Sequence, residues 1–334
     1  MSVTIIDVAK EAGVSRTTVS NVFSGKDKCT EQTRQAVLAA AKNLGYKPNL
    51  AARSLITNQS KLIGMILPSY VDTNTLTNSP FYNIMMDSVY SVLRTEAYYD
   101  LIIFPVQYKE KLMQVSEWID SRNVDGILAL GEFDSGFLRD LKSKGIPVVL
   151  IDNYSQGNYE NFSYVNSDDE TGGYLATRYL IQKGYQNIAL CAVDLHGFLM
   201  QKRYQGYKRA IKEAKLKEYL FDKSENPFEA GLSYAEMVLA QGIDAAFCTE
   251  DMVAVGVLHG LLKKGVKVGK EFGVVGFDNI LIGHQVFPEL TTIDQNIFEK
   301  GETATKTLLK ILNKTSSLGS RLILPVSLIE RESA

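Results

Sequence analysis

Along Thr4 to Phe23, TIIDVAKEAGVSRTTVSNVF, apolar residues fall at Ile5, Val8, Ala9 and Ala12, the i, i+3, i+4, i+7 spacing of one buried helix face. Thr4 with Asp7 three residues on forms a capping-box-like start, and Gly13 ends the helix. Ser15 is a natural N-cap for a second helix, on which Val19, Val22 and Phe23 point one way while Arg16, Thr17, Ser20 and Asn21 point the other. That polar face lacks a partner in its own segment. A third helix begins at Thr30, carries Val37, Ala40, Ala41 and Leu44 on one side and stops at Gly45. The pattern predicts a three-helix unit of helix-turn-helix type; an ordinary helical subdomain is the alternative.

Tyr46–Asn49 reads as a turn, and Leu50 to Ile56 as a segment too short to be a stable helix alone, since isolated helices below about 12 residues are marginal in water. DNA or a second copy would have to order it; the alternative is a plain linker. From Leu62 the period changes. Apolar, β-rich runs at Leu62–Leu67, Tyr99–Pro105, Val124–Leu130 and Pro147–Ile151 are separated by longer segments, and the grammar repeats with Phe162–Val165, Asn187–Val193, Ala245–Cys248 and Phe272–Gly276. Helices are expected at Glu170–Lys183, Leu199–Ala214, Glu229–Gln241 and Asp251–Lys264. Such alternation predicts an α/β architecture of two doubly wound parallel-sheet lobes with a cleft between them.

Composition refines this only at the N-terminus. The 334 residues are 45% hydrophobic and 22% charged, with a formal net charge of −2. Residues 1–60 hold eight Lys/Arg against four Asp/Glu, and the remainder 28 against 34, so the helical unit alone suits a polyanion. Cys29, Cys191 and Cys248 form no CxxC pair and suit a reducing cytoplasm. No apolar run reaches the roughly 18 residues of a membrane span, and no basic, apolar leader opens the chain, so a cytoplasmic location without membrane contact is expected. Walker, GxGxxG and GxSxG motifs are absent, and His196, His259 and His284 lack metal-ligand spacing, which disfavours an enzyme and a metal site.

Independent stretches in one order, TIIDVAKEAGVSRTTVSNV, GYKPNLAARSL, KLIGMILP, DGILAL, PVVLID, GYLATRYLIQKGYQNIA, RYQGYKRA, VVGFDN, LTTIDQ and SLIERES, resemble the LacI/GalR family of bacterial transcription regulators over nearly the whole chain. The resemblance implies a dimeric repressor with an N-terminal DNA-binding domain at 1–48, a hinge helix at 49–60 and an effector domain at 61–334 similar to periplasmic sugar-binding proteins. Its lobes are expected at about 61–162 plus 292–321 and about 163–291 plus 322–334. Arg16, Thr17 and Asn21 match the positions that read the major groove, and their chemistry agrees: Arg spans the guanine O6/N7 edge and Asn the adenine N6/N7 edge. Ser15, Thr18, Ser20 and Asn49 are implied phosphate contacts, with Ala52 and Arg53 also on DNA. Leu55 matches the leucine that wedges into the minor groove.

In the effector domain the resemblance implies ligand contacts from Phe81, Tyr82, Asp152, His196, Arg203, Phe228, Glu250, Asp251, Asp278 and Gln295. Planar polar side chains for hydroxyls and aromatics for apolar ring faces suit a small sugar. Asp278 has a dull alternative as a turn former, and Phe81 and Phe228 as core. Two departures stand out: Glu250-Asp251 where sugar-responsive members often have Asn-Asp, which puts an acid at a hydroxyl site and is compatible with an amine-bearing ligand, and Tyr185 where Gly-His is usual. The partners implied are pseudo-palindromic operator DNA, a second copy and a small effector, with no cofactor. A phosphorylated carrier protein docking on the outer lobe surface is the alternative gate, and a transport-type solute-binding protein the remoter one. The chain stops at Ala334 without a heptad-like extension, so a dimer rather than a tetramer is expected.

Overall fold

A computed structural model describes residues 3–23, 29–46, 59–69, 79–107, 115, 117–119, 121, 124–133, 135–154, 162–223 and 226–334. Contacts divide the chain into two compact units, residues 1–62 with 123–125, and residues 63–122 with 126–334.

In the first unit, α1 (Ile5–Glu11), α2 (Arg16–Phe23) and α3 (Glu31–Leu44) enclose a core of Val8, Ala9, Val19, Val22, Val37, Ala40 and Ala41. Each helix starts where local chemistry satisfies its orphan amides. The Asp7 carboxylate accepts from the Thr4 amide at 2.8 Å and hydroxyl at 2.7 Å; the Ser15 hydroxyl accepts from the Thr18 amide at 3.0 Å; the Thr30 hydroxyl accepts from the Thr33 amide at 3.3 Å. Gly45, at φ 67°, closes α3 in the left-handed conformation that glycine adopts without penalty.

The second unit holds two six-stranded sheets. The first contains β1 (Leu62–Ser69), β2 (Asp100–Gln107), β3 (Gly126–Leu130), β4 (Val148–Ile151) and β5 (Ser163–Ser167), covered by α4 (Pro80–Val92) and α5 (Ser135–Ser143). The second contains β6 (Ile188–Ala192), β7 (Tyr219–Asp222), β8 (Ala245–Cys248), β9 (Gly273–Phe277) and β10 (Thr291–Asp294), interleaved with α6 (Asp169–Gln182), α7 (Phe198–Glu213), α8 (Pro227–Ala240), α9 (Asp251–Lys263) and α10 (Ile282–Gln285). Helix α11 (Ile297–Leu312) returns to the first sheet, where β11 (Arg321–Leu324) adds an edge; β12 (Ser327–Ile329) then adds an edge to the second. The spatial orders are β11-β5-β4-β3-β1-β2 and β12-β10-β9-β8-β6-β7, with β12 antiparallel to β10. The fully buried β3 and β4 have the continuous apolar composition of parallel strands covered on both faces.

This topology moves the expected lobe boundaries. Strand β5 pairs with β4 (Val149 with Ser163, Ile151 with Val165) and β11 with β5, so residues 163–167 and 321–324 belong to the first lobe. Strand β10 pairs with β9 (Thr291 with Val275) and belongs to the second, not to the first. The chain therefore crosses between lobes after Ser167, Asp294 and Leu324. The reason is physical: short edge strands are assigned by hydrogen bonds to a neighbour, and apolar periodicity carries no information about which neighbour that is.

Candidate functional site: a reading helix and an interlobe polar junction

On α2 the capping turn is also the start of the polar face. The Ser15 and Thr18 hydroxyls lie 2.9 Å apart, so the cap fixes both, while Arg16 and Thr17 are exposed and Ser20 and Asn21 half-buried beside the buried Val19 and Val22. Phe23 packs on Tyr46 with ring centroids 5.7 Å apart, which anchors the far end of the helix. Arg16, Thr17 and Asn21 thus sit on a helix fixed at both ends. The expected DNA contacts Asn49, Ala52, Arg53 and Leu55 lie outside the described residues.

In the second unit both sheets have the order in which β1 meets β3 and β6 meets β8 at a topological switch, and ligands of such sheets bind beyond the carboxyl ends of the strands. Polar residues gather at those ends: Asp152 after β4, Ser167 ending β5, Thr249 and Glu250 after β8, Asp278 after β9 and Gln295 after β10. Asp152 and Asp278 are non-glycine residues at φ 54° and 119°, sparsely populated conformations that surrounding structure must hold. For Asp278 the hold is visible. Its amide donates to the Ile293 carbonyl at 2.8 Å, and the next two residues are tied by Arg331 to the Asn279 side chain at 2.6 Å and by the Ile280 amide to Asp251 at 2.9 Å.

The side chains form one network across both lobes. Lys300 of α11, fully buried, donates to Asp152 at 2.6 Å and to the Gln295 side-chain oxygen. Gln295 in turn donates through its amide nitrogen to Asp278 and accepts from Ser167 at 3.3 Å. Arg203 of α7, 3% exposed, donates to Asp169 at 2.8 Å and to the Thr249 carbonyl, lies 3.7 Å from Asp278, and stacks on Phe277 with its guanidinium carbon 3.7 Å from the ring centroid. Tyr154, from the first lobe, donates its hydroxyl toward Asp169 and the Ser167 carbonyl. The Asp169–Arg203 contact depends on two glycines: a Cβ on Gly173 would lie 2.1 Å from the Arg203 carbonyl, and one on Gly206 2.0 Å from the Glu170 carbonyl. Only bare backbone lets α6 and α7 approach that closely.

Burial dominates the electrostatics. It pushes the carboxyls of Asp152 and Asp278 up, against the opposing pull of Lys300 on the first and Arg203 on the second. Burial alone would lower Arg203, but Asp169 and Asp278 raise it, so it stays a guanidinium. Asp251 is pushed up to about 7 by burial, opposed by its bonds from Thr292 and Ile280. A further contact joins the lobes: Glu132, after β3, accepts from the Leu199 amide at 2.8 Å at the start of α7, whose N-cap is Gly197 and supplies no side-chain oxygen. A carboxylate from one lobe thus caps a helix of the other.

The expected ligand residues divide. Asp152, Arg203, Asp278 and Gln295 meet in the network, with Phe81 at its margin, the Lys300 nitrogen 5.8 Å from its ring centroid, and Glu250 half-buried within electrostatic reach of Arg203. Four do not join it. Both oxygens of Asp251 are engaged, by Thr292 at 2.5 Å and Ile280, so it ties loops together rather than facing a ligand. Tyr82 is buried in the first-lobe core, edge-on to Phe81. Phe228 packs in the second-lobe core with its ring centroid 5.9 Å from that of His259 on α9, because the first turn of α8 presses against that helix. His196 is exposed in the turn before α7. Sequence reasoning missed Lys300, Asp169, Tyr154 and Thr249. Tyr185, unexplained there, is structural: a Cβ on Gly273 would lie 2.6 Å from its ring, which fills the space over β9.

Residues 4–49 match the model of bacterial regulatory proteins of the lacI family, and residues 177–334 that of the periplasmic binding protein-like domain. The chain is 33% identical over 318 residues to the HTH-type transcriptional repressor PurR of Histophilus somni (strain 129Pt), which covers 93% of this chain and 92% of that protein. Its structure is similar to that of the Lac repressor dimer bound to operator and the anti-inducer ONPF, with a TM-score of 0.84, 25% identity and coverage of 100% and 99% of the two chains. It is also similar to the complex of the transcriptional regulator CelR with cellobiose, with a TM-score of 0.75, 26% identity and coverage of 99% and 100%.

Proposed function

The chain belongs to the LacI family of bacterial regulatory proteins, whose relatives here are transcriptional repressors and not enzymes, and from that premise we propose a homodimeric repressor whose hold on operator DNA is set by a small hydroxylated ligand between its lobes. The observation that carries the ligand half is the junction network, in which Asp152, Gln295, Asp278 and Arg203 come from the carboxyl ends of strands or facing helices of both sheets. Ligand hydroxyls exchange for these internal partners, because the Asp152 and Asp278 carboxyls, the Gln295 amide and the Arg203 guanidinium have the planar geometry that grips a hydroxyl pair. A ligand made in this way contacts both lobes at once and so biases the angle between them.

For DNA, Arg16 pairs with a guanine edge, Asn21 with an adenine edge, and Thr17 with a thymine methyl or a base edge, while Ser15, Thr18 and Ser20 hold phosphates. Two copies related by a two-fold axis require a pseudo-palindromic site. A sugar is the favoured ligand class, in keeping with the cellobiose that the CelR regulator holds. The test has two arms. Selection from random DNA with the full chain yields an inverted repeat carrying guanine in each half, and a thermal-shift panel of neutral sugars, amino sugars, nucleobases and sugar phosphates yields at least one stabilising ligand. Selection without symmetry removes the dimeric operator reading. A panel without a single shift, alongside stabilisation by a phosphorylated carrier protein, removes the small-ligand reading.

A further inference from the structure

Helix α7 begins without a cap of its own. Its N-cap is Gly197, which has no side-chain oxygen to offer the first-turn amides, and these lie outside the helix's own hydrogen-bond ladder. Helix α8 is made differently: at the same position of its first turn the Phe228 amide donates to the side chain of its own N-cap, Asn226, at 3.1 Å. On α7 the oxygen comes from the other lobe, where Glu132 accepts from the Leu199 amide at 2.8 Å. Burial pushes the Glu132 carboxyl up, the Leu199 and Phe198 amides pull it down, and Asp194 adds a smaller upward push. An amide needs only an oxygen to donate to, so the cap does not depend on the charge of that carboxyl.

The turn that presents Glu132 is braced. The Gly131 amide donates to the Ile151 carbonyl at 2.8 Å, and the Gly131 carbonyl accepts from the Asn153 side chain at 3.0 Å. Asn153 and Asn166 of β5 then exchange bonds at 3.0 and 2.8 Å. The next residue, Tyr154, leaves the same brace toward the second lobe, with its hydroxyl directed at the Ser167 carbonyl and at Asp169, the first residue of α6. Asp169 accepts from Arg203 of α7 at 2.8 Å, and the contacts at Gly173 and Gly206 press α6 and α7 together backbone to backbone. Glu132 and Tyr154 therefore reach the starts of two helices that are packed into one body.

We propose that Glu132 and Tyr154 are the positioning residues of a clasp by which the first lobe holds the α6–α7 pair, a hold made of protein groups alone that sets how readily the cleft closes. This rests on the reading of the junction as a cleft whose closure carries the regulation, and it names the groups that fix the closing equilibrium. Opening the cleft strips α7 of its cap and parts Tyr154 from Asp169. The cap favours the closed form by about fivefold, and the hydrogen bond to the Asp169 carboxylate by about tenfold. A ligand that binds the closed form inherits that bias in its apparent affinity.

The Leu199 amide reports the clasp directly, because no helix bond shields it. The test is hydrogen exchange at single amides, followed by nuclear magnetic resonance on the full-length protein without added ligand, in wild type, Glu132→Ala and Tyr154→Phe. In Glu132→Ala the Leu199 amide exchanges about fivefold faster. In Tyr154→Phe, which leaves Glu132 in place, it exchanges about tenfold faster, since weakening one point of the clasp opens both. The Phe228 amide, capped from its own chain by Asn226, keeps its wild-type rate within about twofold in both variants. A Leu199 rate that Tyr154→Phe leaves unchanged overturns the proposal, and so does one that Glu132→Ala leaves unchanged. An equal rise at Phe228 marks general loosening and overturns it too. These outcomes leave the regulatory reading to the ligand panel and the DNA selection, which decide it separately.

Discussion

Replacing Lys300 by methionine removes the one cation that Asp152 contacts among the described residues, in a place water does not reach: Lys300 is 0% and Asp152 3% exposed, with 2.6 Å between nitrogen and oxygen. Methionine keeps the length and volume of the side chain, so no cavity opens between Phe81 and the Gln295 side chain. What remains is a buried carboxylate at a strained φ of 54° and a Gln295 oxygen that keeps only its 3.3 Å contact from Ser167. Breaking a buried pair from one side costs about 3–5 kcal/mol, whereas replacing both members by neutral groups of like shape is close to neutral. At roughly 2–4 °C per kcal/mol for a unit of this size, Lys300→Met should lower the melting temperature of the second unit by about 10 °C. Asp152→Asn with Lys300→Met should recover most of it, since asparagine tolerates positive φ. The assay is thermal and urea unfolding of the full chain followed by circular dichroism, with the three variants completing a double-mutant cycle. A single variant that loses under about 1 kcal/mol, or a double variant no more stable than it, refutes the view that this pair is a balanced buried charge pair.

Other outcomes test other parts of the account. Arg16→Ala should weaken operator binding by about 1–3 kcal/mol and relax preference at one guanine in each half-site, with ligand affinity unchanged; footprinting and calorimetry read the two separately. Gly206→Ala brings a Cβ to 2.0 Å of the Glu170 carbonyl and must push α6 from α7, so it should destabilise the second unit and weaken ligand binding together. Asp251, pushed up to about 7 from 3.8, holds its proton more tightly folded than unfolded. Its contribution is therefore fullest below about pH 4 and is lost as pH rises to about 7, so the unfolding midpoint should fall between about pH 4 and 7, and Asp251→Asn should flatten that slope even if it lowers the midpoint overall. Glu132→Ala removes the cap that the first lobe places on α7 at 2.8 Å, and should weaken ligand binding while leaving DNA binding by the ligand-free protein in place.

Much of this architecture was legible in residue order. Caps at Thr4, Ser15 and Thr30, the glycine at position 45 and the apolar stripe through Val8, Val19 and Val37 are local signals, and the helices begin and end with them. The buried strands GILAL and VVLI were legible for the same reason. Sheet membership of β5, β10 and β11 was not, because it is settled by hydrogen bonds between segments far apart in the chain. At the junction, Asp152, Arg203, Asp278 and Gln295 were named from motif position and do come together, whereas Asp251 and Phe228, named on the same ground, face the protein instead. Lys300 carried a usable signal that went unread: it stands three residues after Ile297 on a stripe continued by Gly301, Ala304 and Leu308, all but certain to face inward, and a lysine there needs a buried partner. Thr249 had no such signal, since an unsatisfied hydroxyl is visible only once its neighbours are in place.

The central claim is that occupancy of the junction and the grip of α2 on DNA are one thermodynamic system. The measurement that addresses it is the dissociation constant of the stabilising ligand in the absence and in the presence of saturating selected operator, with the operator constant measured at zero and saturating ligand. Linkage requires the two ratios to be equal, and coupled sites of this kind differ by about 5- to 150-fold. Equal ratios in that range for the wild type, with ligand binding and its coupling both abolished in Arg203→Ala, are the predicted result. A ligand constant that is the same with and without operator contradicts the account.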